Sequence, residues 1–473
     1  MDVYAKYIEA QIRQVNKPPA HPGHNECKTV TDSYGEKSGF LVKNGRVLLP
    51  EGLRKMDIVF TGGKVSSLHE RAEGTYEKET DAAGLIVSPG IIDPHVHLGF
   101  AAPFEHELRS ETRSAIAGGL TTLGCMLGDH RPHSETFPKV RQQVGEISWT
   151  DIVPHLIIHN VEQKREIPQY VTEFGVRSFK LFVSGLPGYI PSATDGLIFE
   201  VMREVACQGS SNRVCIHAEN YELMEIARAK RGEQSAFFSS LAEEEAIQRV
   251  CLYAERTLQP IYIVHVSSEL GARRVKELKQ SNAFMIAETT SPYLCAPMER
   301  DTSRLTVMSP PMHGGSSRDA LWAGIRDGSI ETVGTDNVTL TLEEKRANSA
   351  DVNQIMPGYP ALETHLPSML SEGIKRGLSV ETILKTMTEG PAKAFGIYPQ
   401  KGALTPGCDA DATLIDLNTE KTVKAALLHS RSDFSLYENQ SLRGWPSAVI
   451  KNGSLVYENG TFFDRPDSKM IFR

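Results

Sequence analysis

Two histidines, His95 and His97, stand two residues apart at the end of an apolar run, "PGIIDPHVHLGF" over residues 89–100. Side chains at i and i+2 of a strand share a face, so both imidazoles project together. Other chemically capable side chains end or interrupt apolar runs in the same way. Lys180 lies inside "VRSFKLF", His217 ends "CIH", His265 ends "IVH" and Asp336 ends "VGTD". Taken singly, a strand histidine is more often a hydrogen-bonded core residue, an aspartate before a loop a helix cap, and a strand lysine a side chain that snorkels to water. Gathered in one place, four imidazoles, an ammonium and a carboxylate are costly to bury unless something neutralises them together. Divalent metal ions do that, and imidazole-rich sites suit zinc, with manganese, iron and cobalt left open by ligand type. Lys180 is the informative member, because an ammonium repels a metal ion. A lysine that has lost its proton in an apolar pocket adds CO₂ at its amine, giving a carbamate (N6-carboxylysine) whose two oxygens can bridge two metals. The plainer alternative for Lys180 is a pairing with a nearby carboxylate.

The elements that must position these groups alternate. Eight apolar, strand-like runs begin at "LIVSPGIIDPHVHL", continue through "LTTLGCML", "IVPHLIIHN", "VRSFKLFVS", "RVCIHAEN", "IYIVHVSS" and "AFMIAETTS", and end at "IETVGTD". Stretches with helical spacing, such as "LAEEEAIQRVCLYAERT" and "ELGARRVKELKQ", separate them. Eight such units predict an α/β fold, a (β/α)₈ TIM barrel over residues 87–396, with its chemistry at the C-terminal strand ends. A doubly wound open sheet would want a Gly-rich phosphate loop after its first strand; His-x-His stands there instead. Residues 39–86 and 397–473 share a different texture of short strands and turn signals, namely Asn44-Gly45, Gly62-Gly63, Asn452-Gly453 and Asn459-Gly460. They are expected to build one small β-sandwich from both chain ends. Residues 1–38 read as an N-terminal extension, with a short helix over 2–15 and a linker around Pro18, Pro19, Pro22 and Gly23 that also carries His21 and His24.

Composition narrows the partners. The formal charge of −8 comes without a basic stripe, which argues against nucleic acid. Seven scattered cysteines without a CxxC predict reduced thiols, and the charged start has no apolar signal-peptide core. No run approaches a membrane span. The expectation is a cytoplasmic protein.

His95-x-His97 after "PGIID", followed in order by Lys180, His217, His265 and Asp336, resembles the amidohydrolase superfamily, and within it the cyclic-amide hydrolases: dihydropyrimidinase and hydantoinase, allantoinase and dihydroorotase. Supporting stretches are "AGGLTTL" (117–123), "IHAEN" (216–220), "SPP" (309–311), "PGYPALETHLP" (357–367), "GPAKAFG" (390–396) and "KGALTPGCDADATLID" (401–416), so that the resemblance spans about residues 40–463. It implies two divalent metal ions, usually zinc. His95, His97 and Asp336 hold the more buried one, His217 and His265 the second, and carboxylated Lys180 and a hydroxide bridge them. It further implies that the hydroxide attacks a ring carbonyl, with Asp336 as general base and then acid toward the leaving nitrogen. Relatives are commonly homodimers or homotetramers.

Substrate choice is less legible. Dihydroorotases carry an arginine where this chain has Gly99, and dihydropyrimidinases an oxyanion-binding tyrosine where it has Gly185. Tyr189, in the same loop, is a candidate replacement, and Asn337 stands where a histidine is common. Thr290, Ser291 and Gly358 are candidates for reading the imide edge, and each also fits a plain turn role. Phe100, Phe104 and Tyr189 would suit a ring with an uncharged substituent. The expected substrate is a hydantoin, a dihydropyrimidine or a related imide; the alternatives are an allantoinase or other imide or lactam hydrolase, and a metal-free scaffold relative that has lost its ligands, which this chain has not.

Overall fold

The computed structural model describes residues 37–186, 188–280, 284–297, 304–347 and 352–472. The helix expected over 2–15 and the linker with His21 and His24 lie outside them.

Parallel strands Ile91–His97, Leu120–Leu127, Asp151–Ile157, Ser178–Phe182, Arg213–His217, Ile261–Ile263 and Met285–Thr290 pair in chain order. The eighth expected strand is two pieces. Thr332–Gly334 pairs with Met285–Thr290, and Asn337–Val338 pairs with Ile91–His97, so the parallel ladder closes on itself. Thr335 and Asp336 form the step between the pieces, and Asp336 N donates to His95 O at 2.9 Å. All eight residues of Leu120–Leu127 are buried, as a strand covered on both faces requires. Between the strands lie helices such as Phe104–Ala117, His133–Ile147, Asp195–Cys207, Gly232–Thr257 and Glu269–Lys279, which pack their apolar sides onto the barrel.

The run read as one first strand divides at Gly90. Ile86–Pro89 pairs with Lys37–Leu49 and Ala412–Thr422 in a second sheet, and the barrel strand starts at Ile91. A Cβ at Gly90 would stand 2.1 Å from Thr121 Oγ1, so only glycine lets the chain pass there. This second, nine-stranded mixed sheet joins the chain's two β-rich segments through Ile86–Pro89. Gly62-Gly63, Asn452-Gly453 and Asn459-Gly460 are its turns, all at positive φ. Asn44-Gly45 is not a turn. It is a bulge inside Lys37–Leu49, with Asn44 at φ 63° and its N–H donating to Asp57 Oδ1 at 2.7 Å.

A buried ion cluster joins this sheet to the N-terminal end of the barrel. Lys401 Nζ lies 2.6 Å from Asp151 Oδ2 and Asp411 Oδ2, and Lys451 Nζ is 2.8 Å from Asp151 Oδ2. Burial alone would lower the Lys401 ammonium's affinity for its proton; the carboxylates of Asp411, Asp151 and Asp409 overcome that and raise it. The six described cysteines outside the N-terminal extension are free thiols. Among the described residues no helix is long and apolar enough to cross a membrane. Removing Asp151 would leave two buried ammonium groups short of a partner. Asp151→Ala is expected to cost about 3–5 kcal/mol and to melt the protein at lower temperature, while Lys64→Ala, which takes away a half-exposed partner of Asp409, changes little.

Candidate metal centre

Strand alternation puts His95 and His97 on one face at the C-terminal end of the first barrel strand, His95 buried and His97 reaching the cavity. Their Nε2 atoms are 3.3 Å apart, and Asp336 Oδ1 lies 3.3 Å from the first and 3.2 Å from the second. Asp336 arrives there because the eighth strand breaks. It sits at φ 55°, in a left-handed conformation that non-glycine residues rarely hold, and His265 sits at φ 41°. Asp93 fixes that break: its Oδ1 accepts from His95 N at 3.0 Å and Thr335 N at 3.1 Å, and its Oδ2 from Thr335 Oγ1 at 2.6 Å.

Two glutamates set the ring tautomers. His95 Nδ1 donates to Glu288 Oε1 at 2.8 Å, which turns its Nε2 lone pair toward His97 and Asp336. Glu288 is itself held by Tyr262 OH at 2.7 Å and by His265 N at 3.1 Å. His217 Nε2 donates to Glu219 Oε2 at 2.6 Å, and its Nδ1 faces His265 Nε2 at 2.9 Å. The His95 and His265 rings stack 5.4 Å apart, which joins the two groups of donors.

The electrostatics suit ligands. Burial, then the Lys180 charge, holds His95 well below the usual histidine range; burial, then His217, does the same to His265. Both rings are therefore neutral at pH 7, the form that binds metal. Burial pushes Glu288 up to about 8 and Asp93 up to about 7, which marks a site where the protein's own groups leave carboxylates short of positive charge. Lys180 acts on Glu288 only through space, with no direct hydrogen bond to it. Its Nζ is buried, has no hydrogen-bond partner among the described residues, sits 4.8 Å from the Phe182 ring centre, and is pushed down to about 8 by burial. The donor atoms of His95, His97 and Asp336 all lie within 4.8 Å of one another, a spacing that fits a metal ion, and the orphaned Lys180 amine fits an added anionic group.

These residues form one end of a cavity of about 390 Å³, into which His97, His217, His265 and Asp336 open. Its collar includes Phe100 and Tyr189, whose rings are 5.2 Å apart. Tyr189 thus lines the cavity. Phe104 packs against the core instead. Thr290, Ser291 and Gly358 are not among the lining residues and have partners of their own. Thr290 caps helix Ser291–Cys295, Ser291 Oγ pairs with His365 Nδ1 at 2.8 Å, and Gly358 gives its N–H to Val307 O and takes Lys345 Nζ on its carbonyl at 2.6 Å. Asn337 also serves the fold, accepting from Ala361 N at 2.9 Å and donating to Thr339 Oγ1 at 3.0 Å.

The two departures at glycine have steric causes. Gly99 has φ 83°, and a Cβ there would stand 3.0 Å from Phe104 Cβ and 3.1 Å from its Cα, so an arginine is strained at this position. Gly185 has φ 66°, and a Cβ would meet Ile190 O and Ser192 N at 2.5 Å, so the loop cannot carry a tyrosine there. Sequence reading did not single out Glu219, Glu288 or Asp93. Glu288 carried the signal that betrayed Lys180, a charge inside an apolar run, and Glu219 follows His217 by two residues, just past the strand end.

The profile of the Amidohydrolase family matches residues 86–456. The chain is similar to the L-hydantoinase of Paenarthrobacter aurescens, 29% identical over 445 residues that cover 89% of this chain and 94% of the relative. It is also similar to the D-hydantoinase of Ralstonia pickettii, 29% identical over 92% of this chain and 98% of that one. A solved structure of the L-hydantoinase (dihydropyrimidinase) from Arthrobacter aurescens superposes with a TM-score of 0.84 at 27% identity, over 92% of this chain and 99% of that one.

Second-layer partners of metal-bound histidines typically tune affinity 10–100-fold. Glu288→Gln is expected to weaken metal binding by about that factor in a chelator competition; unchanged affinity would remove Glu288 from the centre.

Proposed function

The chain belongs to the amidohydrolase family, and on that footing we propose how its residues act. It is a metal-dependent hydrolase that acts on carbon–nitrogen bonds in cyclic amides of the hydantoin and dihydropyrimidine kind. His95, His97 and Asp336 would hold one divalent ion and His217 and His265 a second, with carboxylated Lys180 between them. The observation that carries this reading is the convergence of His95 Nε2, His97 Nε2 and Asp336 Oδ1 beside a buried lysine without a partner. Zinc is favoured by the four imidazoles. Because burial pushes the Lys180 amine down to about 8, its neutral form is accessible near pH 7, and its nitrogen can bond to CO₂ with release of a proton.

When bound, the metal pair supplies hydroxide near pH 7 and polarises the ring carbonyl. Asp336 then takes a proton at its carboxylate and returns it to the leaving ring nitrogen, so the ring opens to an N-carbamoyl or similar product. The positive φ and the hydrogen bond to His95 O keep that carboxylate aimed at the cavity. The Tyr189 hydroxyl is the candidate donor to the oxyanion, in a loop that cannot hold a tyrosine at 185. Gly185 also favours a second reading, an allantoinase or other imide or lactam hydrolase. The proposal includes a cytoplasmic homodimer or homotetramer without nucleic acid or membrane partners, supported by the free thiols and the modest charge of −8.

A panel of dihydrouracil, 5-substituted hydantoins, allantoin, dihydroorotate and phthalimide, offered to the zinc- or manganese-loaded protein, tests the function. Ring opening of a hydantoin or dihydrouracil is expected and of dihydroorotate is not; a panel wholly untouched by a metal-replete sample would overturn the reading. Lys180→Ala is expected to lose metal and activity together, and Asp336→Asn to lower kcat by a factor of about 10²–10⁴.

A further inference from the structure

The parallel ladder closes through two residue pairs, Asn337 with Val96 and Val338 with His97. Past them the two chains part, one into the loop after His97 and the other toward helix Leu342–Arg346. Both carry the metal centre, since His97 stands on one and Asp336 opens the other. The second sheet reaches this seam. Residues 423–440 connect its strands Ala412–Thr422 and Ser441–Lys451, and they are anchored on both sides of the seam. Arg431 N donates to Glu111 Oε1 at 2.9 Å, and Asp433 Oδ1 accepts from Leu342 N at 2.6 Å.

The Arg431 side chain spans the gap itself. Its Nη2 donates to Thr339 O at 2.8 Å, three residues past Asp336, and its Nε pairs with Glu107 Oε1 at 3.3 Å. Glu107 is fully buried and gathers the loop around Phe100: Oε2 accepts from Gly99 N at 2.6 Å, two residues past His97, and Oε1 from Ala102 N at 3.1 Å. Burial pushes Glu107 up to about 7, against the pull of the Gly99 amide and the Arg431 charge. A further contact, to Glu344 Oε2 at 2.8 Å, fixes the plane of the fork.

We propose that Arg431 is a positioning residue for the metal centre: by tying Thr339 to Glu107 across the seam, it sets the 3.2 Å spacing of His97 Nε2 and Asp336 Oδ1. The inference rests on the metal reading above. Asp93 holds Thr335, on the near flank of Asp336, and Arg431 holds Thr339 on the far flank. Asp336 at φ 55° is a strained residue, which persists only where its surroundings over-determine it. A simple surface ion pair of Arg431 with Glu344 would leave metal affinity untouched.

The test is chelator competition on the zinc-loaded full chain, with cooperative melting of each sample as the check on folding. Groups behind a metal-bound side chain typically tune affinity 10–100-fold, and Arg431→Met is expected to weaken zinc binding by about 10-fold. Glu107→Gln leaves one acceptor for two amides and no charge for Arg431, and is expected to cost about as much. The double variant should be no worse than either single, because the two side chains act as one strap. Arg431→Lys replaces the fork by a point donor and covers a methionine variant that does not fold; it should lose about 3-fold. Native affinity in the folded variants, losses that add in the double variant, or a loss confined to samples that no longer melt cooperatively would overturn this inference alone. A native chain that binds no zinc would overturn it together with the metal reading.

Discussion

His95 Nε2, His97 Nε2 and Asp336 Oδ1 converge across the mouth of the barrel at 3.2–3.3 Å, a set of donor atoms that a cation would complete. Much of the surrounding structure holds that convergence in place. Glu288 and Glu219 each take the proton-bearing nitrogen of one imidazole, which leaves the opposite nitrogen free. Asp93 holds the broken eighth strand against the first, so that Asp336 stays in an unfavourable backbone conformation. Burial keeps the His95 and His265 rings neutral and leaves Lys180 without a hydrogen-bond partner among the described residues.

The cavity over this centre is shaped as much by what glycine permits as by side chains. Gly99 and Gly185 sit at positive φ against neighbouring chain, which closes both positions to a larger side chain. What remains is a collar of Phe100 and Tyr189 beside the candidate metal centre, with His130 and His159 lining the same cavity.

Stability and chemistry occupy opposite ends of the barrel. The cluster of Lys401, Lys451, Asp151 and Asp411 clamps the second sheet to the N-terminal strand ends, while the ligands sit at the C-terminal ends. The C-terminal end holds the strained Asp336 and His265 and the unpartnered Lys180 amine; the other end holds the ion-paired cluster. Separating the two lets the site keep an arrangement that would be costly if it also had to bear the fold.

By itself the sequence determined the alternation of strand and helix, the closed parallel barrel, and the six polar groups at its strand ends, because period-two burial and the cost of burying charge leave marks one residue wide. His-x-His and Lys180 between phenylalanines are such marks. The sequence did not reveal that Gly90 divides one apolar run between two sheets, or that Asn44-Gly45 is a bulge rather than a turn, since a local turn signal does not say which strand comes to lie alongside. Only the tertiary structure decided that Glu288, from the seventh strand, orients His95 on the first, and that His130 and His159 meet across two loops. Those are distances between residues far apart in the chain, set by how the barrel closes, and no spacing along the sequence encodes them.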